Sequence, residues 1–276
     1  MGSEETSRDK VLHLSKIYYD HRAKYYDLFV QRQRSDPSTT KELDFLEGVF
    51  RADATRQVRR VLDIACGGGR HVVGLAQRGF RCVGYDLSRE RIDVAKARAV
   101  RAGVSVELKT GEASKLAPKG KFDAVLALYI LFLLPSDDDL QKCLARIHKQ
   151  LLPGGVLVCN HFNPFSKGKN YLMEAWRSGH FYSESRAPGI RITEIEGLTD
   201  YDAVKGVVWS DDMTVIEAPD GRHVFRDRER MRLLTYWDLK RYLGDSGFKT
   251  VRSYPDWNLK PKRKPKAEQI VFVARK

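Results

Sequence analysis

Several arrangements are missing from this 276-residue chain, and each absence removes a class of function. No two of its four cysteines, Cys66, Cys82, Cys143 and Cys159, form a CxxC pair. Each sits in apolar surroundings, so the thiols read as reduced core residues rather than a zinc site or a disulfide framework. No proline–cysteine nucleophile is present. The longest apolar run, AVLALYILFLL at 124–134, falls well short of the roughly 20 residues that span a bilayer and reads as a buried strand with its flank. The first residues, MGSEETSRDK, lack the apolar core of a signal peptide. Together these absences predict a soluble, cytoplasmic protein with no membrane contact. No internal repeat or low-complexity tract stands out.

What is present is a chain that is 42% hydrophobic and 31% charged, enough for one large α/β domain or one domain with an insertion. The formal net charge is +13. A nucleic-acid partner is one reading of that excess. Basic residues are scattered through most segments, however, and a solvated basic surface is the reading preferred. The exception is LKPKRKPK at 259–266, a dense run whose prolines predict an exposed loop.

From residue 60 apolar strands alternate with amphipathic helices. Strands are expected at 61–64, 81–85, 105–109, 122–128 and 156–159. Helices are expected at 71–78, 89–101 with Ser88 as cap, and 137–152, stopped by the PGG at 153–155. This alternation predicts a doubly wound, mostly parallel sheet. The rhythm stops after Asn160. Short antiparallel strands are expected at 190–195, 204–209, 213–217 and 223–225, with PDG at 219–221 as a turn and a helix near 171–177. A capping box at Thr235–Asp238 opens another helix. Strands at 250–254 and 269–274, joined without a crossover helix, should be antiparallel neighbours. The expected domains are an N-terminal helical lid (1–53), a core (54–162 and 235–276) and an inserted cap over the substrate (163–234).

The stretch VLDIACGGGRHVVGLAQRGFRCVGYDLS at 61–88 carries the functional signal. Glycines directly after a first strand let ligand atoms approach bare backbone, and a carboxylate ending the second strand can accept two hydrogen bonds from a ribose diol. Gly67 and Gly69 match the start of GxGxxG, but Val72 holds the third position and Gly74 comes too late, so a dinucleotide is not the first choice. No GK[ST] follows, which removes the P-loop. Asp63 precedes the glycines.

Written D-x-A-C-G-x-G, this stretch resembles the first motif of class I S-adenosylmethionine-dependent methyltransferases. YDLS at 85–88 resembles their second motif, TGEASKL at 110–116 their third, KFDAVLALYILFLL their fourth, and LLPGGVLV the turn before strand five. The closing GFKTVRSY…QIVFVARK resembles their final hairpin. The resemblance spans about 54–159 and 235–276. It implies a seven-stranded sheet whose last strand is antiparallel, with an inserted antiparallel β subdomain. It also implies S-adenosylmethionine as cofactor. Backbone at Ala65, Gly67 and Gly69 would line the methionine part of that molecule. Asp63 would meet the ammonium, Arg70 the carboxylate and Asp86 the ribose. Leu87 and Ala113 would flank the adenine, Glu112 would lie near its amino group, and Leu128 would offer backbone near the sulfonium. Arg91 stands where the family often has an apolar residue. The segment YYDHRAKYYDLFV resembles a lid found before the core of small-molecule members. Tyr18 and Tyr26 are assigned to closing over the sulfonium, Tyr19 and Tyr25 to packing.

Methyl transfer from a sulfonium is an in-line displacement that needs alignment, exclusion of water and sometimes a base. His161 and Tyr129, expected past strands five and four, are the catalytic candidates; His180 and His223 are weaker ones. Where a [DNS]PP[YFW] motif would stand, the chain reads LYIL, which disfavours methylation of DNA base amines. Trp209, Met213 and Trp237 are candidates for an acceptor pocket wall. The expected activity is transfer to N or O of a small-molecule acceptor. The alternatives are an RNA or tRNA methyltransferase, a non-catalytic cofactor-binding regulator, and an NAD-dependent dehydrogenase. No metal is implied, and the oligomeric state is open.

Overall fold

The computed structural model describes residues 8–26, 37–163, 179–259 and 269–276. The expected helix near 171–177 and almost all of the basic run fall outside them.

Helix α1 (Arg8–Arg22) is followed by α2 (Pro37–Ala52). Then come β1 (Arg60–Ile64), α3 (Arg70–Gln77), β2 (Arg81–Asp86), α4 (Arg89–Arg101) and β3 (Glu107–Thr110). β4 (Phe122–Ala127), α5 (Asp137–Gln150) and β5 (Leu151–Phe162) complete the first half. The seven-stranded sheet runs β10-β11-β5-β4-β1-β2-β3, where β10 is Thr250–Pro255 and β11 Gln269–Arg275. β1 to β5 pair in parallel, and β11 is antiparallel to both β5 and β10. Central strands are buried on both faces, as their unbroken apolar spelling requires: every residue of β4 is buried. One apolar core lies between the sheet and α5 with α6 (Tyr236–Asp245); the other lies between the sheet and α2, α3 and α4.

The helix starts follow their caps. Ser88 Oγ accepts from the Arg91 amide at 3.0 Å, Ser136 Oγ from Asp139 at 3.0 Å, and Thr235 and Asp238 form the reciprocal capping box. Asp123 ties the entry of β1 to β4 by accepting from the Arg59 and Arg60 amides at 3.0 and 2.9 Å. All four cysteines are free and buried. No helix among the described residues is long and apolar enough to cross a membrane.

Between β5 and α6 lies a four-stranded antiparallel meander: β6 (Phe181–Ala187), β7 (Ile190–Asp202), β8 (Val207–Ala218) and β9 (Gly221–Arg232). Here the sequence reading needs correction. The strands expected at 204–209 and 213–217 are one strand, β8, and β6 was missed. The inward face of this sheet carries Glu194, Ser210, Asp212, Asp227 and Glu229 among its apolar residues, so the hydrophobic alternation that marks a strand fades where the strand continues. β5 also starts earlier than expected, running through the PGG, with an irregularity in its pairing between Phe122 and Ala124. Helix α1 packs on β9 and against α4, placing it between the two sheets.

Candidate functional site

The crevice opens where strand order reverses, at the carboxyl ends of β1 and β4. Just past β1 the backbone takes left-handed angles at Ala65, Gly67 and Gly69, with φ of 61°, 54° and 80°. An alanine in that region is strained, which marks a loop whose shape is imposed by its surroundings. The Asp86 carboxylate at the end of β2 holds the loop. It accepts from the Gly67 amide at 2.8 Å and from the Ser88 amide at 2.9 Å. A Cβ on Gly67 would collide with the Arg91 guanidinium, at 2.2 Å, so bare backbone here faces a charged side chain. The space beside Gly69 is filled by Ala95 of α4, so that glycine serves helix packing rather than ligand approach.

Asp63, on β1, is 1% exposed, and its Oδ2 has no hydrogen-bond partner. Burial, reinforced by the neighbouring Asp86 charge and opposed by Arg70, pushes its carboxyl up to about 8. Arg70 is held by Glu42 and by Thr39 Oγ1 at 3.2 Å. Glu42 also lies 2.7 Å from His71 Nε2.

Helix α1 forms one wall. Arg8 pairs with Glu112 and, at 2.7 Å, with Asp139. The Ser88 hydroxyl donates to Asp20. Arg22, 2% exposed, pairs with Asp227 at 2.5 Å, donates to Thr214 Oγ1 at 2.6 Å and lies over the Tyr18 ring at 3.7 Å. The Arg91 guanidinium stacks on Tyr26 at 3.9 Å and lies 5.0 Å from the Tyr19 ring. A cavity of about 230 Å³ runs beneath this wall.

Most of the residues singled out from the sequence line this one cavity: Tyr18, Tyr26, Asp63, Ala65, Arg70, Asp86, Leu87, Glu112, Ala113, Leu128 and Tyr129. Gly67 and Gly69 do not line it themselves; Gly68 does. Tyr129 sits at φ 60°, with its amide donating to Asn160 Oδ1 at 2.7 Å and its hydroxyl to Gln269 Oε1 at 2.9 Å. His161 is not brought to the cavity. Along β5, Leu157, Cys159 and His161 share the face packed by α5 and α6, while Asn160 and Phe162 take the other. Burial drives the His161 imidazole down to about 4. His180 and His223 do not line the cavity either. Of the expected wall residues, Trp209 pairs with Arg228 on the outer face of the second sheet, Met213 shares that face, and Trp237 is 69% exposed. Tyr19, assigned to packing, does line the cavity; Tyr25 packs on Ile192 and Ile216, as expected.

Sequence reasoning missed Arg8, Arg22 and the cavity-lining Glu194, Glu196 and Glu229. The available signal was acids spaced two apart, 194/196 and 227/229, on strands that pair with a common neighbour.

Residues 61–155 match the family model described as a methyltransferase domain. The ubiquinone biosynthesis O-methyltransferase of Burkholderia thailandensis is 29% identical over 177 residues, covering 57% of this chain and 75% of that protein. An S-adenosylmethionine-dependent methyltransferase from Clostridium acetobutylicum superposes with a TM-score of 0.74 at 18% identity, over 91% of this chain and 97% of its own. CalS10, an amino pentose methyltransferase from Micromonospora echinaspora whose structure holds S-adenosylmethionine, superposes at 0.67 with 19% identity, over 90% of this chain and 95% of its own.

Proposed function

We propose that the chain is a class I S-adenosylmethionine-dependent methyltransferase whose cavity brings that cofactor against a small-molecule acceptor, methylated at N or O. The observation that carries the site assignment is the buried, unpartnered Asp63 Oδ2 beneath the left-handed loop. A buried carboxylate oxygen without a donor is costly, and an ammonium group of the cofactor would supply the missing donor. Asp86 retains lone pairs for the ribose diol, although two backbone amides already hold it. Leu87, Gly111 and Ala113 wall the adenine side. Glu112 is engaged by Arg8 and by the Ser114 hydroxyl, so a contact with the adenine amino group would have to share it. Leu128 and Tyr129, past β4, face the reacting end.

When bound, the cofactor supplies a methyl group on a sulfonium. The chain's part is to align, to exclude water and to receive a proton. Helix α1 covers the cavity, and Tyr19 and Tyr26 present aromatic faces that now hold the Arg91 cation. His161 takes no part in this reading, because it faces the other core.

The relatives include an O-methyltransferase and an amino pentose methyltransferase, so their names support both acceptor atoms. A partly open cavity of about 230 Å³, roofed by α1, suits a metabolite better than a nucleic-acid strand. Calorimetry with S-adenosylhomocysteine tests the site. The wild-type chain is expected to bind, and Asp86→Ala to lose roughly a hundredfold in affinity as the loop loses its anchor. No heat of binding to folded wild-type protein refutes the assignment.

A further inference from the structure

The second sheet contributes a feature that methyl transfer as such does not require. Five carboxylates share its inward face: Glu194 and Glu196 on β7, Asp212 on β8, and Asp227 and Glu229 on β9. Strand register sets Glu196, Asp212 and Asp227 side by side across three strands, with Glu194 and Glu229 one step to either side. Helix α1 faces them with Tyr18, Tyr19, His21 and Arg22.

The compensation is lopsided. Arg22 takes Asp227 and approaches Glu194 at 3.9 Å, and His21 Nδ1 lies 2.7 Å from Asp227. Among the described residues no cation stands within ion-pair distance of Glu196, Asp212 or Glu229. Glu229 is 7% exposed and lines the cavity; its Oε1 is buried without a hydrogen-bond partner, and so is Asp212 Oδ1. Buried carboxylates are ordinarily paired, because an uncompensated one costs more than a single hydrogen bond returns. A purely structural role for Arg22 would need one or two acids, not five. The remainder of this wall is apolar or aromatic, with Phe132, Phe162 and Met231.

We propose that the acceptor is a protonated amine carried on a small apolar or cyclic body, that its ammonium docks between Glu229 and Glu196, and that Glu229 removes its proton. The proposal rests on the methyltransferase reading above and narrows it from N or O to N. An alkylammonium has no lone pair, so it must give up a proton before it can attack. The docking ammonium first drives off to water the proton that the raised Glu229 carboxyl holds, and its own proton then passes to the Glu229 carboxylate so formed. The freed lone pair forms the N–C bond as the methyl carbon's bond to sulfur breaks, and sulfur keeps that bond's electron pair. The product leaves as a methylated ammonium, and Glu229 returns its proton to water. The surroundings suit this exchange: burial and the neighbouring Asp212 raise Glu229 to about 8, against Arg22 and a hydrogen bond from Tyr19. Burial also raises Asp212 to about 7, and Glu196 rises for the same cause. A carboxyl poised there exchanges protons with an amine near neutral pH, whereas an alcohol offers the acids no positive charge to neutralise.

Two readouts test this. In the first, cyclohexylamine and cyclohexanol are titrated into the S-adenosylhomocysteine complex by calorimetry. The amine is expected to bind at least tenfold more tightly than the alcohol, and Glu229→Gln and Glu196→Gln each to abolish that preference while leaving S-adenosylhomocysteine affinity unchanged. Equal binding of amine and alcohol, or a preference that survives both variants, overturns the proposal. In the second, methyl label is followed from S-adenosylmethionine into a small-molecule extract. Label retained on a cation exchanger supports the proposal, and label confined to neutral or acidic products overturns it. Failure of S-adenosylhomocysteine to bind at all is a separate result, which strikes the cofactor assignment instead.

Discussion

At the scale of single residues, Asp63 joins a structural oddity to a measurable quantity. Its carboxyl, near 8 in the unliganded protein, is mostly protonated at pH 7. An ammonium placed against it stabilises the ionised form and drives the proton off. Binding of S-adenosylmethionine at pH 7 should therefore release close to one proton, fewer as pH rises past 8. The check is calorimetry in two buffers of different ionisation enthalpy; the proton count is the slope between them. Asp63→Asn should remove the release and weaken binding about tenfold to a hundredfold. A wild-type count near zero would mean that Asp63 does not meet the ammonium. That Asp63, the loop after it and Asp86 come together was legible from sequence because they are close in the chain: Asp63 to Gly69 is one turn, and Asp86 ends the next strand. His161 shows where such reading stops. Its position at a strand end was right, but the face on which an odd-numbered residue falls depends on which helices cover β5, and those come from distant segments.

At the scale of elements, buried charge ties α1 to the second sheet. Arg22 is the pin, and its removal takes away the guanidinium that Asp227 and Glu194 share. Breaking one side of a buried pair typically costs about 3–5 kcal/mol. Arg22→Met, which keeps the aliphatic stem, should lower the melting temperature by on the order of 10 °C. Arg22→Met combined with Asp227→Asn should recover most of that loss, because the orphaned charge goes with it. Thermal unfolding of the two variants side by side decides the matter; equal losses would mean that Arg22 acts through packing alone. The same charges explain why this region was read poorly. In β1 to β5 apolar spelling and burial coincide, so periodicity finds the strands. In β7 to β9 the buried face carries glutamate and aspartate, and a pattern search reads loop where the strand is serving a cavity. Local rules fail here because the polar face belongs to a site.

At the scale of the whole molecule, the buried acids set how stability answers to pH. Asp63 and Glu229 near 8, Asp212 near 7, and the raised Glu196 all hold protons in the folded state that the unfolded chain has lost. A carboxyl raised on folding favours the fold at low pH and withdraws that support as pH climbs through its folded value; the slope is negative because the native state binds more protons. His161 and His148, both lowered by burial, act with the opposite sign, but below about pH 6.5, where the unfolded imidazoles begin to charge. From pH 7 to 8 the acids dominate. Each proton held by the fold alone is worth about 1.4 kcal/mol per pH unit, and because these groups interact, a combined fall of roughly one to two kcal/mol is the expectation. Denaturant melts at pH 7 and 8 measure it directly. Glu229→Gln should be more stable than wild type at pH 8 and should flatten the slope, since it removes one of the repelling charges; S-adenosylhomocysteine should flatten it further if its ammonium compensates Asp63. A wild-type stability that rises over this interval would show that these carboxyls are already ionised in the folded protein at pH 7 and that burial does not raise them.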